Sequence, residues 1–379
     1  MSFELTDEQQ LTRTSVREFA EAEVAPIAAE IDREHRFPAE TVPKLGELGL
    51  LGMLIPEEYG GANMDTVSYC IAIEELSRCC ATTGVLVEAH SSLCSWPIVH
   101  FGTEEQKQKY LPDLASGKAL GAFALTEPNA GSDAGNTATT AVRDGDEFVL
   151  NGQKIFITNG AFAQTFVVMA RSTDAPGTRG VSAFIVDRDT PGFTVATPEQ
   201  KMGIRGSSTT PLFFDNARIP AANLLGEEGK GFNIAMATLD GGRTGIAAQA
   251  VGIAQSAFEA AVAYAKERVQ FGKPIASLQA IQWMIADMAT DIEAGRLLVY
   301  QAADLEWRHE PFATSSAMAK LFCGLMATRV TGQAIQVHGG VGYTEAYPVE
   351  RAYRDAKITE IYEGTNEVQR LVISRAFLR

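Results

Sequence analysis

The sequence predicts an α+β protein built of three consecutive parts, helical, then β, then helical again. Three observations predict it. Apolar residues recur at helical spacing through roughly the first 118 positions. From Ala122 the pattern becomes that of strands broken by turn residues at short intervals, and after Gly231 the helical period returns and persists. The parts are an N-terminal α-helical domain over 1–119, a middle antiparallel β domain over 120–230 and a C-terminal helical bundle over 231–379. A chain of 379 residues is too long for one compact core, in keeping with this division.

Thr6 with Gln9 forms a capping box for a first helix whose apolar side carries Leu11, Val16, Phe19 and Ala20. Helices over 45–54, 67–76, 84–101 and 103–114 follow, separated by Gly and Pro breaks. In the middle part Asp144-Gly145 supplies a hairpin turn between strands. Phe148 and Leu150, the 155–157 run, and the segments 166–170, 181–186 and 212–214 read as further strands, their short turns suggesting an antiparallel sheet or small barrel. Beyond Gly231, the segments 232–239, 246–269, 278–307 and 313–337 read as long helices, which predicts a four-helix bundle whose faces also pack between subunits.

Composition narrows the function. The formal net charge of −15, with no basic run, opposes binding to nucleic acid or anionic lipid. No apolar stretch reaches the ~20 residues of a membrane-spanning helix; the run 247–254 is among the longest and is broken by Gln and Gly. The five cysteines lack CxxC spacing and are odd in number, which predicts a reducing compartment and no disulfide framework. The five histidines show no ligand pair, so no metal is expected. The acidic stretch 1–10 carries neither a secretory nor a transit pattern.

Candidate chemistry gathers in separated motifs. Ile361-Tyr362-Glu363-Gly364-Thr365 places a carboxylate in an apolar, glycine-bordered loop. Ile358, Ile361 and Tyr362 are expected to desolvate Glu363 and raise its pKa toward that of a base. Gly364 permits close approach, and Asn366 with Gln369 reads as the capping start of a terminal helix. A lone loop glutamate is more often merely exposed, so Glu363 needs partners. The segment Phe123-Ala124-Leu125-Thr126-Glu127-Pro128-Asn129-Ala130-Gly131-Ser132-Asp133 leaves a strand rich in hydroxyls and turn formers. Phe156-Ile157-Thr158-Asn159-Gly160 ends another strand. Asp240-Gly241-Gly242-Arg243 can meet a polar ligand or simply pair internally. Arg268-Val269-Gln270-Phe271-Gly272 reads as the end of a long helix, with a cation suited either to a pyrophosphate or to the helix dipole. His338-Gly339-Gly340-Val341-Gly342-Tyr343 follows a helix, which excludes a Rossmann phosphate loop and leaves a tight turn or a cofactor contact.

These motifs, in this order and with Arg354-Asp355-Ala356-Lys357-Ile358-Thr359-Glu360 leading into Glu363, resemble the acyl-CoA dehydrogenases, and among them the bacterial short-chain (butyryl-CoA) type. The resemblance covers essentially the whole chain. It implies a cytoplasmic FAD enzyme that converts an acyl-CoA to the trans-2-enoyl-CoA. Glu363 would take the α-proton while the flavin receives a β-hydride, and the Glu363 N–H would help polarise the thioester carbonyl. It further implies that Phe123, Leu125, Thr126, Ser132, Phe156 and Thr158 meet the flavin. Arg268, Phe271, Gln279, Gln336 and Gly340 would reach FAD across a subunit interface, a pocket completed by Thr365 and Glu367. Ser132, Asp240, Arg243 and Gly364 would contact substrate. A homotetramer, a dimer of dimers, and an electron-transfer flavoprotein as electron acceptor belong to the same implication.

Isovaleryl and long-chain members of that family carry their base where this chain has Gly242, which leaves Glu363 as the only matching base. Branched short acyl groups, isobutyryl or 2-methylbutyryl, stand behind butyryl as substrates, and a flavin oxidase or monooxygenase on the same fold stands behind the dehydrogenase. A non-enzymatic scaffold is opposed by the charge. Glu88 departs from the small residue of butyryl-type relatives; the helical pattern favours a solvated face for it.

Overall fold

The computed structural model describes residues 4–378, so Arg379 and the first three residues of the N-terminal stretch lie outside the described residues. Helix α1 (Asp7–Phe19) begins at the expected capping box, the Thr6 hydroxyl accepting the Gln9 N–H at 3.2 Å and the Gln9 side chain accepting the Thr6 N–H at 3.1 Å. Its buried stripe is narrower than its periodicity suggested: Val16 and Ala20 are inside, while Leu11 is 66% exposed. Helices α2 (Ala25–Glu34), α3 (Thr41–Glu47), α4 (Thr66–Cys79), α5 (Ala81–Glu88), α6 (Trp96–Phe101) and α7 (Glu104–Ser116) complete this part. The helix expected over 45–54 instead ends at Glu47, where Gly49, at φ 75°, turns the chain. The helix expected over 84–101 is α5 and α6 joined by a π-helical turn, Ala89–Ser95. Such wide turns recur at functional sites.

Strands β1 (Gly121–Ala124), β2 (Thr140–Asp144), β3 (Glu147–Ile157), β4 (Thr165–Arg171), β5 (Val181–Asp187), β6 (Phe193–Val195), β7 (Thr210–Pro220) and β8 (Leu224–Leu225) form one eight-stranded sheet. Gly145, at φ 62°, makes the expected hairpin between β2 and β3. The sheet is mixed and not wholly antiparallel: β1 runs parallel to β4, and β2 meets β4 in parallel at Thr140 and Arg171. A loop and the whole β2 to β3 hairpin separate β1 from β4, a connection long enough for parallel pairing. One face of the sheet, with Val167, Met169 and Ile185, packs with Leu93, Ile98 and Leu111 of the helical part. The other face encloses Phe148, Phe166 and Phe184.

The last part holds α8 (Gly231–Glu267), the hairpin β9 (Val269–Gln270) and β10 (Lys273–Pro274), α9 (Gln279–Trp307), α10 (Ala313–His338), α11 (Val349–Ala356) and α12 (Asn366–Leu378). The segments 232–239 and 246–269, expected as two helices, are one helix of 37 residues running through Asp240-Gly241-Gly242-Arg243. Each interior glycine costs about 1 kcal/mol of helix propensity. In exchange other groups reach the helix axis: a Cβ on Gly252 would lie 2.2 Å from the Glu74 carbonyl oxygen of α4. By length and apolarity α8 could cross a membrane, but 61% of the qualifying window is buried inside the protein, where α8 packs on α4, α9 and α10. The bundle is completed by α12, which packs on α10.

Candidate active site

Glu363 and Gly364 occupy the short link between the turn Lys357–Glu360 and α12, at φ 52° and φ 94°. A non-glycine residue in the left-handed region needs its surroundings to hold it there. Lys320 donates from Nζ to the Gly364 carbonyl at 2.7 Å. Gln369 donates from Nε2 to the same carbonyl at 2.8 Å and to that of Glu363 at 3.3 Å. Tyr362 is fixed by its hydroxyl bond to the Gln249 side chain. Asn366 is not the cap expected for α12. Thr365 takes that place, its hydroxyl accepting the Val368 N–H at 3.4 Å, which frees Gln369 to fold back onto the loop.

The Glu363 carboxyl is raised to about 7, chiefly by burial, against the opposing pull of the adjacent Glu88 carboxyl and of the cations Lys320 and Arg243. The residue as a whole keeps some surface, yet its Oε2 is sealed and has no hydrogen-bond partner. Ile358 and Tyr362 pack on the core as expected, whereas Ile361 is 48% exposed and desolvates nothing. Glu88 is not on a solvated face. It is fully buried beside Glu363, and its pKa lies well above the usual carboxylate range through burial and the neighbouring Glu363 charge. Every residue of α5 is buried, so that helix has no solvated face to offer.

Asp240 and Arg243 pair with each other at 2.5 Å on one turn of α8. Arg243 also faces Glu363 and keeps a buried, unpartnered Nε. Phe123 and Leu125 share a core cluster with Leu93, which in turn lies against Gly242, so these residues connect physically to Glu363. Phe156 sits in an irregularity of β3 at φ 58° with its ring 59% exposed, and the Ile155 N–H beside it bonds the Thr126 carbonyl at 2.9 Å. Bulges of this kind re-aim side chains next to sites. Ser132 is exposed on the loop before β2, and Thr158 is half-buried.

Arg268, Phe271, Gln279, Gln336 and Gly340 are all exposed. They gather where α8 and α10 end, an end closed by stacking of Tyr264 on His338 at 4.4 Å. Gln336 lies 16 residues beyond Lys320 on α10, roughly 24 Å along the helix axis from the Glu363 loop. Within one chain these five therefore do not join the Glu363 site. Helix α8 ends at Glu267, and Phe271-Gly272, with φ of 54° and 77°, forms the two-residue turn of the β9 to β10 hairpin in place of a helix-ending glycine. Gly339–Tyr343 is a tight helical turn after α10. Glu367 is exposed in the first turn of α12.

Sequence reasoning missed several residues that build the site. Lys154 and Glu127 form a buried ion pair at 2.6 Å. Glu127 also accepts the N–H groups of Ala138 and Thr139, and Lys154 donates to the Leu125 carbonyl at 3.1 Å, so the pair ties the 125–139 loop to β3. An acid between Thr126 and Pro128 in a loop gave no hint of a lysine 27 residues later. His90 accepts the Gly121 N–H on Nδ1 and donates from Nε2 to Leu51 O at 3.1 Å; burial lowers it to about 4, so it is a neutral strut between helices and sheet. Arg354 holds Asp32 at 2.6 Å and Glu350 at 2.7 Å, which makes the run leading into Glu363 an anchor of the loop.

Comparison with known proteins agrees with this arrangement. The acyl-CoA dehydrogenase N-terminal, middle and C-terminal domain families match residues 6–118, 122–217 and 229–378. A short-chain specific acyl-CoA dehydrogenase of Clostridium acetobutylicum is 56% identical over 379 residues, covering 100% of both chains. The butyryl-CoA dehydrogenase structure from Megasphaera elsdenii superposes with a TM-score of 0.98 at 49% identity, again covering 100% of both chains. A chain from a structural study of the electron transferring flavoprotein of Acidaminococcus fermentans reaches a TM-score of 0.99 at 53% identity, with 100% of both covered. With all three domain families matched in order and a relative 56% identical over its whole length, this chain belongs to the acyl-CoA dehydrogenase family.

Proposed function

We propose that the protein oxidises the Cα–Cβ bond of a short-chain acyl-CoA, butyryl-CoA first, to the trans-2-enoyl-CoA, with Glu363 as the base. One observation carries this reading: Glu363 is a buried carboxyl raised to about 7, with Oε2 unpartnered and its backbone held in a left-handed conformation. A thioester α-proton is only weakly acidic, and a base of raised pKa is suited to it. The N–H of Glu363 has no acceptor among the described residues, which leaves it for the thioester carbonyl, where it would stabilise the negative charge that develops as the α-proton leaves.

The enzyme is an FAD-dependent oxidoreductase, as its family is. The residues fit that group: Phe156 offers an exposed aromatic face, and the hydroxyls of Thr126 and Thr158 have no hydrogen-bond partner among the described residues. When bound, FAD supplies the acceptor for the β-hydride. Phe123, Leu125, Thr126, Ser132, Phe156 and Thr158 would hold it in one subunit. Arg268, Phe271, Gln279, Gln336 and Gly340, with Thr365 and Glu367, would serve the FAD of a neighbouring subunit in a homotetramer. In support, the hairpin and helix ends expose Phe271 (88%), Trp283 and Tyr343, more apolar surface than an isolated chain leaves in water by preference. Ser132, Asp240, Arg243 and Gly364 would contact the acyl-CoA. An electron-transfer flavoprotein would collect the electrons, and the five free cysteines fit a bacterial cytoplasm. The division into 1–119, 120–230 and 231–379 is part of the same reading.

Anaerobic mixing of the FAD-loaded protein with straight and branched acyl-CoAs of four to eight carbons tests it. The expected result is fastest flavin bleaching with butyryl-CoA. The Glu363→Gln variant is expected to retain FAD and to lose both bleaching and α-proton exchange. Substantial exchange in that variant would place the base elsewhere, and faster bleaching by isobutyryl-CoA or 2-methylbutyryl-CoA would move the substrate to the branched class.

A further inference from the structure

Glu88 closes α5 immediately before the π turn, and that turn folds Ser92 back onto it. The Ser92 hydroxyl donates to the Glu88 carbonyl at 3.0 Å and contacts carboxyl Oε1. Glu88 Oε2 is buried without a protein partner in the hydrogen-bond sense that Ser92 provides to Oε1. Directly opposite, α8 presents Gly242 and Gly245 on one face. A Cβ on Gly245 would lie 2.9 Å from Cγ and Oε1 of Glu88, and one on Gly242 would lie 2.2 Å from Oε2 of Glu363. Two missing side chains thus let two carboxyls lie side by side against one face of α8, each with a buried, unpartnered Oε2.

Two carboxyls in contact away from water cannot both ionise, so one keeps its proton. The surroundings decide which. Arg243 of α8 and Lys320 of α10 act on Glu363, while no cation acts on Glu88. Behind Arg243 stand Asp240 and, on α9, Glu306; behind Lys320 stand Glu360 and Glu367. From α4, Tyr69 faces both carboxyls with an unpartnered hydroxyl and with Cys70 beside it, and Tyr362 is tied to Gln249. Both phenols are neutral at any pH of interest, held well above their usual range by burial.

We infer that Glu88 is a positioning residue for the base: its neutral carboxyl donates a hydrogen bond to Glu363 and so keeps Glu363 ionised and aimed before the acyl chain enters. The inference rests on the reading of Glu363 as the base. Losing the donor leaves the Glu363 charge buried with less support, and its protonation then extends to higher pH.

The test compares Glu88→Ala and Glu88→Gln in the FAD-loaded enzyme, following anaerobic flavin bleaching by butyryl-CoA as a function of pH. Glu88→Ala is expected to move the acid limb of kcat/KM up by about one pH unit, which slows bleaching about tenfold at pH 6. Glu88→Gln keeps an N–H donor in the same volume and is expected to restore the wild-type limb. Infrared spectra of the substrate-free protein at about pH 9, well above the values near 7 of Glu363 and Glu306, supply a second readout: a protonated-carboxyl band present in wild type and in Glu363→Gln, and absent in Glu88→Gln. An unmoved acid limb in Glu88→Ala, or a band that survives Glu88→Gln, overturns the positioning role. Full turnover in Glu363→Gln would instead overturn the assignment of the base, so the two failures are distinct.

Discussion

Gly242 and Glu363 share one space: a Cβ placed on Gly242 would fall 2.2 Å from Oε2 of Glu363 and 2.8 Å from Cδ2 of Leu93. The glycine is therefore what lets the Glu363 carboxyl reach its place over α8. Gly242→Ala is expected to leave the helix intact, since alanine gains about 0.5–1 kcal/mol of helix propensity against the local clash. The carboxyl, the freer of the two neighbours, must swing away. A displacement of about 1 Å costs on the order of 100-fold in rate. Stopped-flow bleaching together with thermal unfolding checks this; near-normal turnover with normal stability would show that the carboxyl does not need the space.

The raised carboxyl sets the direction of the pH dependence. As the proposed base, Glu363 must be deprotonated to act, and burial lifts it from the usual carboxylate range to about 7. Turnover is therefore expected to rise through that pH and to fall about tenfold per unit below it. The rate of flavin reduction at saturating and at low substrate, measured from pH 5 to about 8, reads this directly. An acid limb near the ordinary carboxylate value, about 4.3, would mean that burial does not govern the base.

The loop from 125 to 139 depends on one buried charge pair. Lys154 is fully buried beside Glu127, burial lowering the lysine to about 8 while the glutamate opposes the shift. Lys154→Met leaves Glu127 ionised without its partner and is expected to cost about 3–5 kcal/mol. It also releases the Leu125 carbonyl and loosens the 125–139 loop. Denaturant unfolding of single variants and of Lys154→Met with Glu127→Gln checks this: the double variant is expected to recover part of the loss and so to separate the stranded charge from lost packing. Equal losses in both would assign the effect to packing alone.

Much of this architecture is legible in the sequence because its signals are local. The capping box at Thr6 and the turn at Gly145 each act within a few residues, and each appears where expected. What is not legible depends on contacts between distant segments. Gly241 and Gly242 read as a break, yet α8 passes through them because packing on α4 and α10 outweighs two weak helix formers. Glu88 read as a surface residue because one acid in a helix normally faces water. The available signal was the absence of any Lys or Arg from 79 to 106, which leaves that acid no local ion-pair partner. Glu363 stood out in its loop as a candidate base, while Lys320, 43 residues before it, and Gln369 carry no motif that announces their hold on that loop.

Lys320 joins the loop's geometry to its charge. Its ammonium donates to the Gly364 carbonyl at 2.7 Å, is fully buried, and lies low, at about 8, because burial disfavours its charge more than Glu363 supports it. Below that pH the ammonium stabilises the ionised base; above it the charge is lost. The site is expected to work best in a narrow window between about 7 and about 8, where Glu363 is ionised and Lys320 still protonated. Lys320→Met removes the cation and the carbonyl bond together. The acid limb should then move up, because Glu363 loses a favourable charge, and the alkaline limb should vanish. Butyryl-CoA bleaching from pH 5.5 to about 9.5 resolves both limbs. An alkaline limb that persists in Lys320→Met would belong to another group, and an acid limb that stays in place would show that Lys320 holds the loop without tuning the base.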